Sequence, residues 1–238
     1  MTSPPWKSQM IEIKSREGVV TEVFAPLLKF RWPLYAKTPT AALKKLTVLP
    51  KSTVQAILEH LYANVPVSRT NLPAFKTCKI VDKLPFESSY YNDLINLLHD
   101  TESCDFELIA ENGEMTLPIH KYILATRSSY FRNLFKEDPG VESITMQRMN
   151  GDALTMWAKY IYTGDFETTT VSALPELIGS GYTYGLRDPA EIDYLAVYAL
   201  QSSLNSENVE SVREKATDLC LPEIIELTDS IPLGTISE

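Results

Sequence analysis

The side chains that could bind zinc are few and widely scattered in this chain. It has three histidines and three cysteines, and these are His60, His99, His120, Cys78, Cys104 and Cys220. None of them lies in the Cys-x-x-Cys or His-x-x-x-His spacing that zinc sites use. An odd number of scattered cysteines also argues against a disulfide framework and suits a reducing compartment. The sequence therefore predicts no metal site and no cofactor.

One serine lies between two glycines, at Gly179-Ser180-Gly181, and superficially suggests a nucleophile. A hydrolase serine, however, needs the pattern Gly-x-Ser-x-Gly between a strand and a helix, and this segment lacks it. The sequence also lacks the phosphate-binding Gly-x-x-x-x-Gly-Lys loop and the glycine pattern of dinucleotide-binding folds. We therefore assign no catalytic residue and expect a protein that is not an enzyme.

The elements that would position any site are organised as a repeat. Two aliphatic residues, an arginine and a bulky-aromatic pair occur over 27–35 and recur 96 residues later, over 123–131. Downstream of each copy, apolar residues at helical spacing end at Asn64 or Gly164. Such spacing indicates one buried helical face, and Asn and Gly tolerate the left-handed backbone that ends a helix. The chain is therefore predicted to be a tandem repeat of one small domain.

A pair of strands is predicted in front of each repeated helix. In the first copy, residues 10–13 and 19–24 indicate a hairpin. In the second copy, a strand over 106–109 is followed by Asn112-Gly113, a strong turn signal. Pro118 is predicted to open the next helix, because proline is favoured in the first helical turn.

The second copy resembles the BTB/POZ domain in three blocks, whose order and spacing make the match specific. The blocks are Asp105-Phe106-Glu107-Leu108, the segment 120–135 and Tyr160-Ile161-Tyr162-Thr163-Gly164. The resemblance covers about residues 103 to 200. The first copy looks like a degenerate BTB domain. The resemblance implies an α+β fold in which a small sheet is capped by a helical cluster, as two tandem copies plus a C-terminal helical extension.

The expected domain organisation has four parts. We expect a degenerate BTB-like domain over 1–72, a connector over 73–102, the BTB/POZ domain over 103–200 and the helical extension over 201–238. An amphipathic helix over 90–98 is expected in the connector and is expected to pack on the second domain. In families that the chain resembles, a C-terminal helical extension like the one expected over 201–238 often helps to bind a ligase scaffold.

The resemblance also assigns Asp105 and Lys121 to a charged pocket at the centre of a homodimer interface. Buried charged partners would specify register and partner more than they would add stability. The alternative is that both are ordinary solvated residues at the start of a strand and of a helix. In the first copy Phe24 and Ala25 stand where His120 and Lys121 would be, so the charged pocket is expected to be absent there.

The second copy further resembles the BTB substrate adaptors of cullin-3 ubiquitin ligases. Many of these carry a hydrophobic-x-Glu motif in the loop after the residue that corresponds to Phe135. Here Glu142 fits the motif, but Gly140 occupies the hydrophobic position. Candidate cullin-binding residues are Phe135, Gly140, Glu142, Tyr160 and Tyr162. The expected function is a protein-protein interaction adaptor, and the alternative is a dimerisation or scaffold module of a transcriptional or signalling assembly.

The charge distribution bears on the partners. Net charge is −9 overall, yet residues up to Pro85 contain 13 Lys and Arg against 5 Asp and Glu. We interpret this basic region as a solvated face, or as one that lies against the acidic second copy, and not as a nucleic-acid site. No apolar run approaches the roughly 20 residues that span a bilayer. The expected partners are cullin-3, a second copy or another BTB protein, and substrate proteins, in the cytoplasm, the nucleus or both.

Overall fold

Residues 5–80 and 89–231 are described by the computed structural model. Their contacts divide the chain into unit 1, Met1–Ser103, and unit 2, Cys104–Glu238. The segment over 73–102, which was expected to be a connector, therefore lies within unit 1. The segment over 201–238, which was expected to be a separate extension, lies within unit 2.

Unit 1 is a hairpin followed by short helices. Its elements are β1 (Met10–Lys14), β2 (Val20–Phe24), α1 (Ala25–Arg31), α2 (Pro33–Lys37), α3 (Pro39–Leu46), α4 (Lys51–Ala63), α5 (Leu72–Thr77) and α6 (Tyr90–Leu98). The strands β1 and β2 are antiparallel, with Met10 opposite Phe24, so the predicted hairpin is confirmed. A proline lies in the first turn of α1, α2, α3 and α5, where its fixed φ and missing N–H cost little.

The core of unit 1 is completed by the chain that follows α4. Phe75, Cys78 and Ile80 are buried in the same apolar cluster as Leu28 and Trp32. The indole Nε1 of Trp32 donates a 2.7 Å hydrogen bond to the carbonyl oxygen of Cys78. Burial raises the pKa of the Cys78 thiol to about 11. The residues just after 72 are therefore core residues, and not a linker.

Helix α6 packs against α1, whereas we expected it to pack on the second domain. Asp93 accepts a 2.8 Å hydrogen bond from the guanidinium of Arg31, and the side chains form an ion pair. The hydroxyl of Tyr90 donates to the carbonyl oxygen of Tyr62, at the end of α4. The physical reason for this placement is the buried arginine of α1, because a buried guanidinium requires a carboxylate partner.

Unit 2 is a three-stranded sheet with helices around it. Its elements are β3 (Phe106–Ala110), β4 (Thr116–Ile119), α7 (Lys121–Arg127), α8 (Ser129–Glu137), β5 (Ser143–Met146), α9 (Gly151–Thr163), a 3₁₀ segment (Val171–Leu177), α10 (Ser180–Thr183), α11 (Pro189–Ser203), α12 (Val209–Asp218) and α13 (Pro222–Asp229). The strand order is β4-β3-β5, and β3 is antiparallel to β4 and parallel to β5. Pro118 lies in β4, opposite Glu107, so the prediction that it opens a helix is wrong. Proline is tolerated there because β4 is an edge strand.

Aromatic side chains form the core of unit 2 beneath this sheet. Phe106 packs edge-on against Phe135, with ring centroids 4.9 Å apart, and Phe131 packs against Trp157 at 6.0 Å. Tyr184, which follows α10, stacks on Phe131 at 6.0 Å. The core therefore joins β3, α8 and α9 to the chain that follows them.

A buried carboxylate connects the C-terminal helices to α9. Glu176, in the 3₁₀ segment, accepts a 2.5 Å hydrogen bond from the backbone N–H of Asn150, the residue that caps α9. Its other oxygen lies 2.8 Å from Nζ of Lys215, on α12. This explains why residues after 200 fold as part of unit 2.

The elements of the two units recur at fixed offsets. The strands β1 and β2 and the helices α1 and α2 begin 96 residues before β3, β4, α7 and α8, and α4 begins 100 residues before α9. The helices α4 and α9 end at Asn64 and Gly164, whose φ angles of 53° and 79° confirm the predicted left-handed ends. Unit 1 has α3 where unit 2 has a loop and β5.

Candidate interaction sites

Asp105 and Lys121 are brought together at the start of α7. Oδ1 of Asp105, just before β3, accepts a 2.7 Å hydrogen bond from the backbone N–H of Lys121. The Lys121 side chain is buried, and its Nζ lies 5.7 Å and 5.5 Å from the ring centroids of Phe106 and Phe135. Over the described parts of the chain, the two side chains form no direct ion pair. Asp105 therefore satisfies a free N–H of the first helical turn, while the ammonium group lies over aromatic rings.

The environment of Asp105 disfavours its charge. Burial raises the pKa of this carboxyl group, and the N–H and the positive charge of Lys121 only partly oppose that effect. The backbone N–H of Asp105 donates to the carbonyl oxygen of Ile119 at 3.3 Å, which fixes the residue beside β4. The structure thus places a partly buried carboxyl group next to a buried lysine. Its role at an interface stays a prediction.

The neighbouring residues His120 and Tyr162 form a buried pair. The backbone N–H of His120 donates to the Tyr162 hydroxyl oxygen at 3.1 Å, and Nδ1 of the imidazole lies 2.5 Å from the same oxygen. The hydroxyl therefore accepts the backbone proton of His120 and also lies within hydrogen-bond distance of its ring. Burial raises the pKa of Tyr162 well above its ordinary value. The pair connects α9 to the start of α7.

The candidate cullin-binding residues divide into a buried and an exposed group. Phe135, Tyr160 and Tyr162 are buried in unit 2, so their side chains are core residues. The Tyr160 hydroxyl donates a 2.8 Å hydrogen bond to Glu191, and burial together with this carboxylate raises its pKa. Gly140 and Glu142 are exposed in the loop between α8 and β5. Of these five candidates, only Gly140 and Glu142 are accessible to a partner.

Sequence reasoning missed a pair of exposed tyrosines on α11. Tyr194 and Tyr198 are 70% and 61% exposed, and their rings stack with centroids 6.4 Å apart. They lie one turn apart, away from the buried stripe of Ile192, Ala196 and Leu200. Exposed tyrosines are enriched among the residues that contribute most to protein interfaces. The signal was present in the sequence, because both tyrosines fall outside the apolar stripe of their helix.

The residues that suggested chemistry have structural roles. Oγ of Ser180 is buried and donates a 2.6 Å hydrogen bond to the carbonyl oxygen of Leu177. A Cβ on Gly181 would lie 2.3 Å from the carbonyl oxygen of Pro189, so this glycine permits a close backbone approach. Within residues 5–80 and 89–231, no group of three or more His, Cys, Asp or Glu side chains could hold a metal ion. No helix in the same ranges is long and apolar enough to cross a membrane.

Comparison with known proteins identifies the family of one part of the chain. Residues 94–192 match the family model described as the BTB/POZ domain. This span contains β3 to α10 and the Asp105–Lys121 contact. Residues 94–192 form a BTB/POZ domain. Domains of this family mediate protein-protein interactions, including dimerisation, so the chain carries a protein-interaction module.

Proteins similar to this chain include two mouse proteins and one solved BTB domain. BTB/POZ domain-containing protein 7 of Mus musculus is 28% identical over 142 residues, which cover 53% of this chain and 12% of that protein. Zinc finger and BTB domain-containing protein 41 of Mus musculus is 23% identical over 149 residues, 59% of this chain and 14% of that protein. The chain thus spans a small part of these relatives. The solved BTB domain of zebrafish PATZ1 is 22% identical, with a TM-score of 0.37, over 49% of this chain and 99% of that one.

Proposed function

We propose that this chain is a non-enzymatic adaptor whose BTB/POZ domain recruits cullin-3, while another part of the chain holds a substrate protein. The observation that carries the proposal is the exposed loop within the BTB/POZ span, where Glu142 occupies the glutamate position of the adaptor motif. The adaptor itself performs no covalent chemistry. It acts where the cullin-3 ligase acts, in the cytoplasm, the nucleus or both.

Gly140 weakens this binding without blocking it. A glycine supplies no side chain to fill the pocket that a hydrophobic residue would occupy, and one such anchor is worth about 2 kcal/mol, or roughly thirtyfold in Kd. A Cβ added there would lie 3.5 Å from Oδ1 of Asp138, which is ordinary contact, so a side chain can begin at this position without a clash. Tyr194 and Tyr198, both on α11, supply the remaining anchors.

Unit 1 is a degenerate second copy of the same domain in this proposal. Support comes from the offsets of 96 and 100 residues at which its strands and helices recur in unit 2. At the positions of His120 and Lys121 it has the buried Phe24 and the half-buried Ala25, so the charged contact is missing. Unit 1 therefore keeps the fold and lacks the determinant of self-pairing.

A second candidate function is a dimerisation or scaffold module for a transcriptional or signalling assembly. It is favoured by Asp105 and Lys121, since unit 2 keeps a partly buried carboxylate against a buried lysine. Such a pair specifies a partner more than it stabilises the fold. In this case the partner would be a second copy of the chain or another BTB protein.

An affinity pull-down of the full chain, with the captured proteins identified by mass spectrometry, distinguishes the two functions. Capture of cullin-3 with other ligase subunits supports the adaptor, whereas capture of only the chain itself or of chromatin proteins supports the scaffold. The variant Tyr194→Ala/Tyr198→Ala should capture less cullin-3. The matched control is Tyr182→Ala, which removes a tyrosine that is 64% exposed on α10.

A further inference from the structure

Unit 1 contains an open groove that takes no part in the proposed function. It has a volume of about 470 Å³ and lies between the start of β1, the helices α1 and α2, and the residues after α6. This volume falls in the range of small-ligand and peptide sites. Its apolar wall consists of Ala25, Pro26, Tyr35, Ala36 and Pro39. A second depression, of about 410 Å³, continues from Pro39 along α3 to Lys44.

The groove carries uncompensated positive charge at one end only. Between Glu22 and Glu59 the sequence has no acidic residue. Nζ of Lys29 lies 3.1 Å from Oδ2 of Asp100, so the end of the groove nearest α6 is neutralised. Lys44 lines the second depression, and Lys37 follows the wall residue Ala36 in α2. Both lysines are exposed and have no ion-pair partner in the described part of the chain. The α3 end of the groove therefore attracts anionic groups.

The Tyr35 hydroxyl is the polar group that the apolar wall offers to a ligand. The Tyr35 ring stacks on Trp32 with centroids 5.9 Å apart, while its hydroxyl bonds to none of the residues that the structure describes. The Gln9 amide offers a ligand nothing, since its Nε2 donates to the carbonyl oxygen of Ser103 at 2.6 Å and its Oε1 is buried. A peptide backbone carbonyl offers the acceptor that the Tyr35 hydroxyl can use.

We infer that this groove binds an acidic peptide segment of a partner protein. An apolar side chain of the peptide lies against Tyr35, Ala36 and Pro39, and its carboxylates lie toward Lys37 and Lys44. A nucleic acid fits less well, because it requires phosphate contacts along its length and open aromatic faces on which bases stack. Here the Tyr35 ring is already stacked on Trp32, and Arg31 is buried. The inference does not depend on cullin-3 binding.

The test is fluorescence anisotropy with the full chain and two labelled probes. One is a peptide of repeated Glu-Leu-Glu-Pro units, and the other is its neutral counterpart of repeated Gln-Leu-Gln-Pro units. We expect the acidic peptide to bind with a Kd of roughly 10–100 μM and the neutral peptide to bind at least about tenfold more weakly. Lys37→Gln/Lys44→Gln should weaken acidic-peptide binding about three- to tenfold, because each exposed charge contributes little.

Two further variants keep the result specific to the groove. Ala36→Trp fills the groove at an exposed helical position, without changing charge, and should abolish measurable binding. Lys76→Gln, which removes an exposed lysine from α5, should leave the affinity unchanged. Circular dichroism melts establish that each variant is folded. Equal affinity for both peptides, full binding by Ala36→Trp, or binding of oligothymidylate in preference to the acidic peptide would each overturn the inference.

Discussion

The ion pair between Arg31 and Asp93 is predicted to be the largest single polar contribution to the stability of unit 1. The Arg31 side chain is only 2% exposed, and that of Asp93 is 14% exposed. Besides Asp93, the guanidinium donates to the carbonyl oxygens of His60 and Leu61, both at 3.1 Å, and to Oδ1 of Asn64 at 3.2 Å. One side chain thus binds two of the last carbonyls of α4 and pairs with a carboxylate of α6.

The size of the effect follows from this burial. Arg31→Met removes four hydrogen bonds and leaves the Asp93 carboxylate without its cation, which should lower the free energy of unfolding of unit 1 by about 3–5 kcal/mol. Asp93→Asn should cause a similar loss, because it leaves a buried guanidinium uncompensated. The control, Arg16→Met, removes an exposed arginine whose nearest carboxylate oxygen, on Glu17, lies 3.5 Å away. It should change the stability by less than about 1 kcal/mol.

Native-state hydrogen exchange with mass spectrometry measures this effect in α4 itself. A loss of 3–5 kcal/mol corresponds to a fall in protection of the α4 amides of more than about a hundredfold. The double variant Arg31→Met/Asp93→Leu should lose less than the sum of the single variants, because it removes both charges together. If Arg31→Met behaves like Arg16→Met, the buried arginine does not hold α4 and α6 in place, and the reasoning is refuted.

Three further predictions concern unit 2. Burial raises the pKa of Asp105, so ionisation of this carboxyl group opposes folding. The free energy of unfolding should therefore fall as pH rises through the folded-state pKa, and Asp105→Asn should remove this fall. Urea titrations at several acidic pH values measure it. Hydrogen bonding to Glu176 raises the pKa of Lys215. The contribution of this ion pair to stability is therefore lost only as pH rises through the raised pKa of the lysine. Lys215→Met should accordingly cost about 1–3 kcal/mol at neutral pH, measured by thermal unfolding. Gly181→Ala should cost about 1–3 kcal/mol, since its Cβ would meet backbone at 2.3 Å, whereas Gly140→Ala should change the melting temperature little.

Local sequence signals predicted the secondary structure better than they predicted the contacts between elements. The hairpin of β1 and β2 and the left-handed ends at Asn64 and Gly164 follow from residue types within a few positions, and they were predicted. Pro118 was assigned wrongly, because its tolerance in β4 depends on which strand forms the sheet edge. That information lies in the strand order and not in the residues around the proline.

Burial and packing partners were harder to predict. Helical spacing correctly suggested that Tyr160 and Tyr162 pack into a core, but the resemblance assigned them to a partner interface, where buried side chains cannot make contacts. The docking of α6 depends on the burial of Arg31, and composition gave no sign that this arginine differs from its exposed counterpart Arg127. The stacked tyrosines of α11 were overlooked, because helical spacing was used only to find apolar stripes.

Calorimetric titration of the full chain against the amino-terminal region of cullin-3 tests the proposed adaptor function most directly. The account predicts binding that is weakened by the glycine of the loop, with a Kd of roughly tens of micromolar, and tightening by about tenfold or more in Gly140→Met. If neither the unchanged chain nor Gly140→Met binds at these concentrations, the result would contradict the account and favour the scaffold.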